Sequence, residues 1–287
     1  MSLVQSAVDY SRMIKLSHTL FALPFALAAA AMAWQSVPFS WVDLGLILVC
    51  MVTARSAAMG FNRIADRDID GANPRTASRE IPSGKIPLGQ AWGFTLGSAA
   101  IFVLASWGLS TLCLILSPFV LAVVMGYSLT KRFTALCHLF LGLALGLAPV
   151  SAWIAITDTV SATALVLSGI VLTWVGGFDI LYACQDADFD REKGLNSIPA
   201  ALGLKGAMIV SALLHVGTAA LLAVLPFVAG LGWPYWIAAG IIGAILVWEH
   251  LLVRPDDLSR MDQAFFQLNS TISLIFIGGV LAGSFLG

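Results

Sequence analysis

Asn62, Asp66 and Asp70 recur every four residues within the stretch NRIADRDIDGANPRTASREIPSG, positions 62–84. On a helix, positions four apart differ by roughly 40° around the axis, so these three side chains share one face. Asp68 sits roughly 160° from Asp70 and points elsewhere. Two carboxylates one turn apart, with an amide one turn before them, suit a hard divalent cation that keeps some of its waters. A polar loop between two apolar helices would carry similar residues, so this stretch alone does not decide. A second acidic stretch, GGFDILYACQDADFDREKGLNSIP at 176–199, adds weight. There Asp186 and Asp190 are again four apart, and Asp179, seven before Asp186, falls within roughly 20° of the same helix face. Tyr182 lies roughly 60° to one side of Asp179, and Asp188 faces away.

Membrane helices must position these acids. The 287-residue chain is 59% hydrophobic and only 11% charged, whereas charged residues make up roughly a quarter of soluble domains. Its mean hydropathy of +0.91 agrees, and the bilayer is therefore its main solvent. Apolar stretches near the roughly 20 residues that cross the hydrocarbon fall at about 20–34 with its flanks, 41–62, 88–107, 109–129, 135–156, 161–183, 206–228, 234–253 and 264–286. Residues 1–15 predict a short helix on the membrane surface and no cleavable leader. Every Lys and Arg except Arg55 lies at the N-terminus or in the connections after the second, fourth, sixth and eighth spans. That alternation predicts nine transmembrane helices, N-terminus cytoplasmic and C-terminus outside. The expected fold class is all-α, a polytopic membrane protein forming one domain over 1–287, a single bundle around a central cavity.

The same distribution puts both acidic segments on the cytoplasmic side, about 120 residues apart, each leading to a turn with Ser and Pro (Pro82-Ser83 and Ser197-Ile198-Pro199). This resembles a weak internal repeat of four-helix units with a ninth helix added. Two opposed carboxylate sets can hold two or more Mg²⁺ ions, and a diphosphate is the natural guest of such a clamp. Arg55 precedes Asn62 by seven residues, and an arginine inside a span is a functional candidate by default. Lys131 and Arg132, closing the fourth span after Tyr127, suit a leaving diphosphate or equally a positive-inside anchor. The net charge of −1 gives no sign of nucleic acid as a partner. Cys50, Cys113, Cys137 and Cys184 form no CxxC pair and read as small embedded side chains. His18, His138, His215 and His250 show no ligand spacing and read as polar contacts between helices.

With both motifs in hand, the chain resembles the UbiA superfamily of intramembrane prenyltransferases. The family's first motif, Asn followed by Asp at +4 and +8, matches Asn62, Asp66 and Asp70. Its second, DxxYxxxD with a further Asp at +4, matches Asp179, Tyr182, Asp186 and Asp190. Arg75-Thr76, Arg79, Pro82-Ser83-Gly84, Tyr127 with Lys131-Arg132, and Gly194 with Ser197 are also similar. The resemblance covers essentially the whole chain. In one departure, Arg63 stands where many members have Asp directly after the motif's Asn. The tract around 60–82 looks most like the branch acting on aromatic acids in ubiquinone and menaquinone biosynthesis.

The resemblance implies Mg²⁺-dependent transfer of a polyprenyl group from a polyprenyl diphosphate to an aromatic acid of the 4-hydroxybenzoate type, releasing diphosphate. It implies metal binding by Asn62, Asp66, Asp70, Asp186 and Asp190, the four aspartates being the catalytic acids. Arg55, Lys131 and Arg132 would bind the diphosphate, and Asp179, Tyr182 and Ser197 would contact the acceptor or support the metal. It also implies a multi-pass protein of a bacterial inner membrane with its site facing the cytoplasm. The alternative within the family is a menaquinone-pathway hydroxynaphthoate prenyltransferase. A secondary transporter with acidic ion sites is the rival from another class. Transporter sites lie near the bilayer midplane at broken helices, whereas these acids crowd one membrane face.

Overall fold

The structure is a computed structural model that describes residues 3–14, 21–261 and 263–286. The described residues are nearly all helical, and one isolated bridge, Arg254 with Asp257, is the sole β-type pairing among them. Eight helices are long and apolar enough to cross a membrane. They are α3 (Trp41–Ala65), α5 (Leu88–Leu109), α6 (Thr111–Thr130), α7 (Cys137–Thr157), α8 (Ala162–Ala183), α10 (Ile198–Ala229), α11 (Trp233–Leu252) and α12 (Asn269–Phe285), the last entered through a π-helical turn, Gln263–Leu268. Before them come α1 (Leu3–Met13) and α2 (Leu23–Ala33), and between them lie α4 (Arg67–Ala72) and α9 (Ala187–Glu192).

Helix α2 (Leu23–Ala33) falls at the first of the nine expected apolar stretches and is shorter than the other eight among the described residues. Pro24 stands in its first turn, where the missing N–H costs nothing. Its 11 residues reach only about 16 Å at 1.5 Å per residue, roughly half the hydrocarbon thickness. Residues 15–20, ahead of it, fall outside the described residues, as does His18. Among the described residues, then, eight apolar helices are full-length and one is short.

The chain divides into two compact units, Met1–Thr19 with Ser40–Leu129, and Leu20–Phe39 with Thr130–Gly287. In the first, α3 packs along α5, with Gly60 facing Thr95 at a close crossing. Helix α1 forms as its sequence predicts, and its Met13, with Ile14 just beyond, packs among Ile64, Ile86 and Ala91. In the second unit α8 is the most enclosed helix, flanked by α7 and α10. Gly142 and Gly146 let α7 approach the backbone of α8, where the carbonyls of Leu172 and Ser168 would meet a Cβ. Small residues at such crossings are how membrane helices gain van der Waals contact without a hydrophobic driving force. Phe25 of α2 stacks on Phe276 of α12 at 4.3 Å beside Trp174 of α8. The outward faces carry Trp107, Leu213, Phe227 and Leu251, each more than 60% exposed. Apolar surface of that extent belongs against lipid.

Two acidic helix ends as candidate functional sites

Each acidic motif ends a long helix and restarts a short one. Helix α3 stops at Ala65, Asp66 takes φ −94°, ψ 5°, and α4 begins at Arg67. Helix α8 stops at Ala183, a 3₁₀ turn covers Cys184–Asp186, Asp186 takes φ −106°, ψ 4°, and α9 begins at Ala187. Both short helices have six residues with aspartates two and four positions after the break. The four-residue spacing argument assumes regular helical geometry through each motif, which the structure interrupts. The signal for a restart was present, because acidic residues concentrate in the first turn of a helix, where the dipole favours them.

The break keeps the four-residue register. The Asp66 amide donates to the Asn62 carbonyl at 2.9 Å, and the Asp70 amide to the Asp66 carbonyl at 2.7 Å. Asp66 and Asp70 are therefore buried together, while the Asp68 side chain is 86% exposed and pairs with Arg67. Asn62 donates from Nδ2 to Asp66 Oδ2 at 3.2 Å and to Ser128 Oγ at 3.3 Å. Asp70 Oδ1 accepts from Arg79 Nη1 at 2.7 Å. Its Oδ2 is buried and has no hydrogen-bond partner among the described residues. Thr76 donates its hydroxyl to the Asp70 carbonyl at 3.0 Å, fixing the turn that brings Arg79 back. Arg55, half-buried in α3, donates to the Ile14 carbonyl at 3.4 Å. Tyr127 hydrogen-bonds Ser128 and lies within Coulombic reach of Arg55, Arg63 and Asp66.

Arg63 is 97% buried and donates from Nη1 to Asn62 Oδ1 at 3.3 Å. Asp70 and Glu80 are the carboxylates within Coulombic reach of it. Arg79 lies within the same reach and opposes them, and the buried Nε of Arg63 has no hydrogen-bond partner among the described residues.

In the second unit, Asp186 and Asp190 are half-buried and Asp188 is 99% exposed at its side chain, paired with Arg191. Asp190 lies within reach of Asp186, Lys131, His138 and Ser197, and burial pushes its carboxyl up. Ser197 also N-caps α10 by accepting from the Ala200 amide at 3.3 Å. Gly194 closes α9 with φ 67°, letting the Leu195 amide reach the Asp190 carbonyl at 2.8 Å. That is the paired C-terminal bond of a left-handed cap, which needs glycine there. Tyr182 packs on Phe265 with ring centroids 4.1 Å apart. Lys131 is half-buried and Arg132 exposed.

Asp179 accepts at Oδ2 from His138 Nδ1, 2.7 Å away. His138 is 3% exposed, and its Nε2 accepts the Ile198 amide at 3.3 Å. The same connection between α6 and α7 is tied to residue 196: the Asn196 amide donates to the Lys131 carbonyl at 2.7 Å, and Cys137 Sγ to the Asn196 carbonyl at 3.5 Å. Sequence reasoning placed His138 among helix contacts and missed this link. Its partners lie 41 and 60 residues away, so no local spacing announces them.

The oxygens on offer suit Mg²⁺. Among the described residues, no three His, Cys, Asp or Glu side chains gather as a ready-made metal cage. Mg²⁺ does not ask for one, since it binds through one or two carboxylates plus waters and substrate phosphates. The partnerless, buried Asp70 Oδ2 is a donor of that kind.

Fold and chemistry thus define a multi-pass helical membrane protein that gathers hard oxygen ligands and cations at two helix ends. The UbiA prenyltransferase family model matches residues 22–271, and the chain belongs to that family. It is 29% identical over 255 residues to the 4-hydroxybenzoate octaprenyltransferase of Citrobacter koseri, covering 89% of this chain and 87% of that protein. A UbiA homolog from Aeropyrum pernix K1, solved without ligand, is 35% identical with a TM-score of 0.84, covering 92% of this chain and 97% of that one. A UbiA homolog from Archaeoglobus fulgidus, solved with GPP and Mg²⁺, shares the fold at 18% identity and a TM-score of 0.68, covering 96% of this chain and 98% of that one.

Proposed function

We propose that this protein transfers a polyprenyl group from its diphosphate to an aromatic acid of the 4-hydroxybenzoate type. The observation that carries the reading is the repeated helix break, which buries or half-buries Asp66, Asp70, Asp186 and Asp190 and turns Asp68 and Asp188 to solvent. Asp66, Asp70 and Asn62 in one motif, and Asp186 and Asp190 in the other, hold Mg²⁺. Mg²⁺ held by these residues would supply positive charge to stabilise the leaving diphosphate. Arg55, Lys131 and Arg132 bind the same anion, stabilising it most once the allylic C1–O bond has broken. Asp179, Tyr182 and Ser197 orient the acceptor or brace the second motif, so that its ring carbon ortho to the hydroxyl meets the allylic cation and its displaced proton passes to the released diphosphate. Apolar helices keep water from that cation. The similarity to curated 4-hydroxybenzoate octaprenyltransferases supports this acceptor class. A hydroxynaphthoate acceptor is the second reading, from the tract around 60–82. The charge alternation supports a bacterial inner membrane with the acidic ends cytoplasmic.

The test uses membranes carrying the protein, a labelled prenyl diphosphate, and 4-hydroxybenzoate or hydroxynaphthoate, with Mg²⁺ or EDTA. Prenylated 4-hydroxybenzoate in Mg²⁺ and none in EDTA is expected. Transfer only to hydroxynaphthoate selects the second reading, and turnover undiminished by EDTA refutes the metal's part.

A further inference from the structure

His138 sits between the two ends of the second motif. Because the Ile198 amide donates to its Nε2 at 3.3 Å, the ring proton belongs on Nδ1, where it is donated to Asp179 Oδ2 at 2.7 Å. Among the described residues His138 is the only hydrogen-bond partner of Asp179, and the Asp179 side chain remains 23% exposed. One carboxylate oxygen is therefore held while the other is left for a ligand. On the far side of the ring, Ile198 follows Ser197, the residue that N-caps α10 and lies beside Asp190. A single buried imidazole thus ties Asp179 to the turn that starts α10, although the two lie 19 residues apart in sequence.

We propose that His138 is a positioning residue for the acceptor: it holds Asp179 in one rotamer and in register with the Ser197–Ile198 turn, so that the outward oxygen of Asp179 meets the aromatic acid. This rests on the prenyl-transfer reading for its kinetic consequence, but not for the tautomer it requires. An imidazole held by a donor on one side and an acceptor on the other cannot rotate without losing both bonds. Metal-ligating histidines are held by a carboxylate or carbonyl in the same way; here the histidine does the holding.

Two substitutions separate the two bonds. His138→Asn can still donate to Asp179 but cannot reach the Ile198 amide. His138→Gln places its amide near Nε2, keeping Ile198 and losing Asp179. With His138→Ala as reference, initial rates are measured against acceptor and against prenyl diphosphate separately. His138→Gln and His138→Ala should raise the acceptor KM about tenfold, the scale of a charge-assisted hydrogen bond. The prenyl diphosphate KM should stay within about twofold of wild type in both. His138→Asn should restore most of the acceptor KM. In parallel, ¹⁵N-histidine NMR of the detergent-solubilised protein should show residue 138 protonated at Nδ1 only, with that resonance shifted by Asp179→Ala. A protein inactive toward every aromatic acid would defeat the transfer reading while the NMR signature still decided the positioning. Protonation at Nε2, a resonance blind to Asp179→Ala, or equal losses in His138→Asn and His138→Gln would overturn the proposal.

Discussion

Replacing Asp70 and Asp68 in turn gives a sharp test of the helix-face geometry, because two residues apart in sequence they occupy opposite environments. The Asp68 side chain is 86% exposed and pairs with a half-exposed Arg67. Such a surface pair is worth about 0–1 kcal/mol, so Asp68→Asn should leave thermal stability nearly unchanged and transfer within about twofold of wild type. Asp70 is 4% exposed, holds Arg79 at 2.7 Å with one oxygen and keeps the other buried without a partner. Asp70→Asn preserves volume but removes the charge. The Arg79 side chain is 22% exposed and can recover water, so the folding cost should be about 1–2 kcal/mol, below the range for a fully buried charged bond. The loss in kcat should be far larger, about 10²–10³, the scale of removing one preorganised charge-stabilising group. Initial rates at saturating substrates, normalised to monodisperse protein, give the ratio directly. Equal losses at Asp68 and Asp70 would refute the face argument, and a loss at Asp70 matched by unfolding would refute its functional part.

Other substitutions test the frame around the site. Asp188→Asn, at a side chain 99% exposed, should be as mild as Asp68→Asn, while Asp190→Asn should cost about 10²-fold in rate. Asn269 joins the Trp174 indole, at 2.7 Å, to Glu249, at 3.2 Å, deep in the second unit. Asn269→Ala should lower stability by about 2–4 kcal/mol, since it leaves two buried groups unpaired, and a thermal shift within about 1 °C of wild type would contradict that. Gly142→Val should fail to accumulate as folded protein, because a side chain there meets the Leu172 carbonyl, whereas Gly45→Ala, with open space around it, should be silent in the same expression assay. Gly194→Ala, at φ 67°, should cost about 1 kcal/mol in melting experiments and weaken the cap that holds Asp190.

Much of this was legible in the chain because it follows from local rules. The spans could be placed from hydropathy, since a helix is one of the few structures that satisfy their backbone in lipid; seven of the nine predicted stretches lie within about three residues of observed helices. The four-residue spacing separated Asp66 and Asp70 from Asp68, and Asp186 and Asp190 from Asp188, before any coordinates. Three features escaped. The helix breaks at Asp66 and Asp186 depend on backbone torsions that a spacing argument assumes regular. Helix α10 begins eight residues before its predicted span because a bend at Gly203, with φ 71°, joins a short first turn to it; only glycine takes that conformation without strain. The third is the long-range pairing of polar side chains. His138 with Asp179, and His215 with His250 at 2.9 Å, are contacts between helices far apart in sequence, and a single chain carries no record of which helices meet.

The claim on which everything else depends is that the acids of both motifs serve one Mg²⁺-dependent prenyl transfer. Asp70→Asn, Asp190→Asn and the double variant should be compared for kcat/KM toward prenyl diphosphate at fixed free Mg²⁺. Groups acting on one substrate and one step are strongly non-additive, so each single variant should lose about 10²-fold or more and the double variant should fall within about tenfold of the worse one. Losses that simply multiply, or a single variant with wild-type turnover, would contradict it.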